Sequence, residues 1–208
     1  MLSLETGLIF VATSILLALV PGPDNLFVLA QSALKGRAAG LAITLGLCTG
    51  LIFHTLIVAF GLSTLFMASP LAYMVLKITG AAYLLFLAWK SFRACPESIE
   101  VGAQAGRAAL KLYSQGVLMN LTNPKVIIFF LAFLPQFTVP ARGYLAQQLL
   151  VLGGLFIACA WLTFSGIALM ASRLSAWLRQ SPGAQVMLNR VAGIVFVLLA
   201  GSLVLSHP

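Results

Sequence analysis

The sequence predicts an all-α integral membrane protein: six transmembrane helices arranged as two inverted three-helix repeats, with helices 1 and 4 broken by proline. Three observations lead there. Of 208 residues, 61% are hydrophobic and 8% charged, whereas a soluble domain carries about 25% charged residues. Ala38 to Leu76 contains no Asp, Glu, Lys or Arg over 39 positions, and Gly143 to Ser172 contains none either. Prolines fall inside two of the apolar segments, at Pro21 and Pro23 and at Pro124.

The segments follow in order near 6–33, 38–64, 70–90, 113–137, 146–170 and 187–206. The uncharged run from Ala38 would measure about 58 Å as one helix, against a hydrocarbon core of about 30 Å. It must turn back, and Ser69-Pro70 is the expected turn, because proline removes a donor and disfavours helix before it. Long, continuously apolar segments point to helices and away from an alternating barrel. The polar stretch from Arg93 to Lys111, with Pro96, Glu97, Glu100, Gly102, Gly106 and Arg107, reads as a solvated linker. The chain is thus one transmembrane domain, 1–208: repeat 1 about 1–92, a cytoplasmic linker about 93–111, and repeat 2 about 112–208.

Cation placement sets the topology. Lys35 and Arg37, then Lys90, Arg93, Arg107 and Lys111, then Arg173, Arg179 and Arg190 fall on one face. Arg142 alone falls on the other, with Lys77 and Lys125 inside the membrane. Nine against one puts both termini outside the cytoplasm by the positive-inside rule. The net charge of +8 is then a topology signal; no basic, aromatic-interleaved face is present for nucleic acid. The N-terminus has Glu5, no basic leader and a long first apolar stretch, so no cleavable signal peptide is expected. A bacterial inner (plasma) membrane fits.

The two halves resemble each other. Lys77, Ile78, Thr79, Gly80, Tyr83 and Leu85 recur as Arg190, Val191, Ala192, Gly193, Phe196 and Leu198 at one fixed offset. A three-helix repeat necessarily places its copies in opposite orientations, and transporters of that plan bind at the midplane between broken helices.

Counting inward from either side, Pro21–Asp24 and Asn123–Lys125 lie near mid-membrane. Each break starts a second half-helix whose free N–H groups aim at the midplane. Asp24 or Asn25 could cap the first; Asn123, with Pro124 at the first helical position, suits the second. Two positive helix ends plus Lys125 would attract a carboxylate. Carbonyls freed by Pro21, Pro23 and Pro124, with Asp24, would attract an ammonium group. The candidate site is therefore Pro21, Gly22, Pro23, Asp24, Asn25, Asn120, Asn123, Pro124 and Lys125.

Charges at that depth cost about 2.5–3.5 kcal/mol on insertion scales and mark function. Asp24 is the one deep acid and Lys125 the one deep base. Either they serve transport, or they pair with each other, or Asp24 merely caps its half-helix. Lys77, nearer a helix end, can snorkel. His54 can relay protons alongside Asp24, or hydrogen-bond between helices in its neutral form. Gly46 and Gly50 have the spacing that brings helices close, within the monomer or at a homodimer seam. Cys48 and Cys159 read as small packing residues, and Cys95 as facing the cytoplasm.

At Leu19-Val-Pro-Gly-Pro-Asp-Asn25 and Asn120-Leu-Thr-Asn-Pro-Lys125 the chain resembles the LysE/RhtB family of amino-acid exporters, the homoserine and threonine efflux branch in particular. Gly80-Ala-Ala-Tyr-Leu-Leu85 with Trp89, and Phe133-Leu-Pro-Gln-Phe137, extend the resemblance along essentially the whole chain. It implies a secondary exporter of small amino acids or derivatives, driven by the proton gradient, with an amino acid, protons and lipid as partners, no cofactor and no enzymatic activity. Two other classes fit less well. A transmembrane thiol relay wants paired cysteines at the breaks, where none stands. A metal-ion exporter would have only Asp24, His54 and scattered thiols as ligands.

Overall fold

The computed structural model describes residues 4–62, 70–94, 109–139 and 142–205. The turn at Ser69, most of the expected linker and Cys95 lie outside the described residues. Among the described residues there are helices and no strands.

Helix α1 (Leu4–Leu19) and helix α2 (Pro23–Lys35) form the first segment and meet at 61°. The bend has a local cause. The last regular bond of α1 runs from Val20 N–H to the Leu16 carbonyl at 3.0 Å. The next carbonyl, of Leu17, would need an N–H from Pro21, which has none. Gly22 then runs extended before Pro23 starts α2 at the first helical position.

Gly36 (φ +86°) turns the chain into α3 (Arg37–Ile57), a left-handed conformation that glycine takes without a Cβ clash. Helix α3 ends in a wide π-type turn, Val58–Leu62. Helix α4 (Pro70–Arg93) follows. The fourth segment is again bent, by 52°, between α5 (Ala109–Thr122) and α6 (Pro124–Ile128). Beyond α6 the chain continues through a π-type turn, Phe129–Phe133, and a 3₁₀ turn, Leu134–Phe137. Helix α7 (Leu145–Gln180) and helix α8 (Pro182–Leu205) complete the fold.

By length and apolarity, three stretches can each cross a membrane: Arg37–Gly61, Leu145–Ala171 and Pro182–Leu205. Each bent pair counted as one span gives up to five. Helix α4, 24 residues long, lies where the third of six was expected. The fifth expected segment, 146–170, falls on the apolar stretch Leu145–Ala171. Its helix, α7, continues to Gln180, 36 residues in all. That is about 54 Å, so its last turns, with Arg173, outreach a hydrocarbon core of about 30 Å.

The outside of the molecule is apolar. Phe53, Phe60, Ile78, Phe86, Leu162 and Leu198 are all exposed. An exterior of this kind is at rest only in lipid.

Inside, α3 packs on α5 and α7, α4 packs on α8, and α7 also lies along α1 and α2. Small residues set these distances. A Cβ on Gly46 would collide with the carbonyl of Tyr113, and one on Gly116 with that of Ile43. A Cβ on Gly50 would lie 2.6 Å from the Asn120 side chain. The Gly46/Gly50 spacing therefore serves packing inside the chain. The recurring glycines of the two halves have the same use: Gly80 faces Ala132, and Gly193 faces the ring of Phe92, each too close for a Cβ. Phe10, Ile43, Leu47, Phe129, Phe130 and Leu149 fill the centre.

Candidate functional site

The two bends come together at the centre of the bundle, and their orphaned backbone groups decide what gathers there. Helix α1 ends on carbonyls that no helical N–H can reach. The Leu17 and Val20 carbonyls accept hydrogen bonds from the Lys125 ammonium, at 3.0 and 3.1 Å. The Ala18 carbonyl accepts from the Asn25 side-chain amide at 2.6 Å. The ring of Phe196 lies 5.9 Å from the Lys125 Nζ, within cation–π range. One cation thus binds the negative end of α1 from the other half of the molecule.

The second bend is built in parallel fashion. Pro124 leaves the Asn120 carbonyl without its usual helical donor. That carbonyl accepts from Asn123 N–H at 3.1 Å and pairs with His54 Nε2 at 3.2 Å. A carbonyl can only accept, so Nε2 carries the hydrogen. His54 is buried and its ring lies 5.7 Å from that of Phe130. The capping expectation for this half-helix holds: the Asn123 side-chain oxygen accepts from Lys125 N–H at 3.0 Å.

For α2 that expectation is corrected. Its cap is Gly22, which has no side chain to offer. Pro23 takes the first helical position, so Asp24 and Asn25 fall inside the first turn, one step too late to cap. Asn25 bonds backward to α1 instead. Asp24 is left free for other partners.

Asp24 is 5% exposed and Asn120 1%. Lys125 and His54 act electrostatically on the Asp24 carboxylate, and the amides of Asn120 and Asn123 approach it. Its Oδ1 nonetheless closes no hydrogen bond of good geometry, and neither do the amide atoms of Asn120. Asp24, Asn120 and Lys125 are among the residues that line a narrow cleft. Asp24, Asn25, Asn120 and Lys125 form the polar side; Phe129, Phe156 and Phe164 form an apolar wall. Phe129 and Phe156 stack with ring centres 4.8 Å apart.

Of the nine expected site residues, four therefore line the cleft directly. Asn123 caps, and the prolines and Gly22 act through the backbone they break. The aromatic wall was not foreseen, since phenylalanine is common in apolar helices and nothing in its spacing marks these three. Among the described residues no group of three or more His, Cys, Asp or Glu side chains could hold a metal ion.

Comparison with known proteins gives the chain its place. The model of the family described as LysE type translocator matches residues 15–207. The homoserine/homoserine lactone efflux protein of Salmonella typhimurium is 36% identical over 203 residues, 97% of either chain. An uncharacterized membrane protein of Bacillus subtilis is 30% identical over 91% of this chain and 94% of its own. The leucine efflux protein of Salmonella choleraesuis is 31% identical over 144 residues, 64% of this chain and 65% of its own. No solved structure matches. With 193 of 208 residues inside the family match and apolar helices throughout, the chain belongs to the LysE type translocator family of membrane proteins.

Proposed function

We propose that this protein exports small amino acids or their derivatives from the cytoplasm, binding them between the two helix breaks. One observation carries the reading. At the bend of α1 an ammonium group sits on the Leu17 and Val20 carbonyls, in the electrostatic reach of Asp24. This is a chemical environment for an amine, built where the two helix breaks of a translocator meet. The three compounds in the relatives' names, homoserine, its lactone and leucine, share a free α-ammonium. The apolar wall of Phe129, Phe156 and Phe164 suits a small side chain beside it.

In this reading Asp24 and the carbonyls hold the ammonium, while Lys125 and the half-helix N-termini hold the carboxylate. Amidated or esterified analogues of the amino acid keep the ammonium and lose the charged partner of Lys125. They should compete at least about 30-fold less well than the free acid, for a loss of about 2–5 kcal/mol. The measurement is competition against labelled homoserine in inverted vesicles. Equal competition by the ester would remove the carboxylate half of the site.

The packing supports six spans in two inverted repeats. Exchange α1 with α5, α3 with α7, and α4 with α8, and the packing of α3 on α5 maps onto that of α7 on α1, while the α3–α7 and α4–α8 contacts map onto themselves. The cation distribution then puts both termini outside the cytoplasm of a bacterial inner membrane. A periplasmic reporter fused at the C-terminus should be active and one fused at Arg107 silent; the reverse pattern would overturn this topology. Export against a gradient would draw on inward proton flow, with Asp24 as the coupling group.

A further inference from the structure

We infer that Lys125 is a tethered occupant of the substrate's own ammonium site, so that substrate binding is an exchange of one ammonium for another. The inference rests on the proposed amino-acid export and deepens it. Three observations support it. The Lys125 Nζ is within hydrogen-bond distance of two carbonyls, Leu17 at 3.0 Å and Val20 at 3.1 Å. One of these is orphaned by Pro21, so it has no competing donor within its helix. The Phe196 ring adds a third, cation-selective contact at 5.9 Å.

The second line is the position of the remaining polar groups. Asp24, 95% buried by its exposure of 5%, presents an Oδ1 with no hydrogen-bond partner to the same cleft. A substrate ammonium that reached Asp24 would lie among the acceptors Lys125 now uses. Two ammonium groups cannot share two carbonyls, since like charges held that close in a site of low dielectric repel strongly. Lys125 must leave, and the substrate carboxylate arriving with the ammonium gives it a new partner.

The third line is mechanical. Lys125 belongs to α6 and the carbonyls to α1, so its hydrogen bonds join the bends of the two halves. Exchange breaks that joint. Binding would thereby release the halves to move against each other, and a substrate that brings both charges drives the exchange furthest. In the wild type a bare amine competes with a tethered one and cannot recruit it away.

The test compares two probes on purified protein in lipid nanodiscs: homoserine, and 3-amino-1-propanol, which is homoserine without its carboxylate. Binding is read from ligand-dependent shifts of the unfolding temperature. Lys125→Met removes the tethered ammonium and leaves its acceptors. It should bind the aminoalcohol at least about tenfold more tightly than the wild type, the worth of one charge-assisted hydrogen bond. Lys125→Cys, in a background with Cys48, Cys95 and Cys159 replaced by alanine, supplies a second comparison. Unmodified it should also bind the amine; alkylated with 2-bromoethylamine, which rebuilds an ammonium of lysine length, it should lose that binding. A folded Met variant with wild-type amine affinity, or no effect of the alkylation, would overturn the inference. Homoserine binding by the wild type separates the two readings. If the wild type binds homoserine and neither variant gains amine binding, the exchange is wrong and the substrate assignment stands. If the variants gain amine binding but the wild type ignores amino acids, the ammonium site stands and the substrate assignment falls.

Discussion

Lys125→Met should reduce amino-acid export at least about 100-fold while the protein still reaches the membrane. The side chain is asked to do two things. With substrate bound it faces the carboxylate, and truncating one member of a buried charged pair costs about 2–5 kcal/mol. Without that partner it satisfies the Leu17 and Val20 carbonyls, whose loss of a donor costs about 1–3 kcal/mol each. Part of the second cost falls on stability. Abundance should therefore fall, but less than transport, because the α3–α5 and α4–α8 contacts that hold the bundle do not involve this residue. Lys125→Arg should rescue little. A single Nζ reaches both carbonyls as a point charge, whereas a planar guanidinium presents a fork too broad for a cleft walled by Phe129 and Phe156. Export normalised to immunoblotted protein decides the matter. Normal transport by the Met variant would leave Lys125 as a structural bridge between the two bends and nothing more.

That residue also shows how far the sequence could be read. Pro21 and Pro124 announce the bends, because a missing N–H is a local fact that no packing can restore. Asn123 announces its cap for the same reason: asparagine followed by proline at the first helical position is local chemistry, and the structure has that hydrogen bond. Asp24 looked like a cap and is not one, because Pro23 shifts the register and puts the cap on Gly22. Where Lys125 points was beyond reading. Its four-carbon stem can reach either half of the molecule, and only the crossing of α1 and α6 puts the Leu17 and Val20 carbonyls in range. His54 is similar: a histidine in an apolar helix says nothing of its partner until α3 lies against α5 at the glycine contacts of Gly46 and Gly50. The overrun of α7 to Gln180 has a simpler origin. Charges resume at Arg173, but the chain stays helical to Gln180, and Ser181 before Pro182 ends it.

Asp24→Asn should abolish the use of a pH gradient while leaving downhill movement of substrate. In the proposed cycle the proton moves inward as the amino acid moves outward. Asp24 takes a proton when open to the acidic outside, releases the substrate ammonium it had held, and gives the proton up inside. Asparagine has nearly the same shape and cannot titrate. Its amide would still fit between the Asn120 and Asn123 side chains that approach position 24, so the fold is preserved. Each pH unit of gradient carries about 1.4 kcal/mol per proton, enough for about a tenfold concentration ratio. Inverted vesicles acidified inside by one unit should therefore accumulate homoserine toward that ratio with the wild-type protein, and only equilibrate it with Asp24→Asn. Counterflow, which needs binding and movement but no net driving force, should persist in the variant at a reduced rate. If the variant still concentrates substrate like the wild type, coupling lies elsewhere. His54 is then the group to replace, with glutamine to keep a donor for the Asn120 carbonyl. If that second variant equilibrates where Asp24→Asn does not, the proton passes through the imidazole, and the carboxylate serves only to hold the amine.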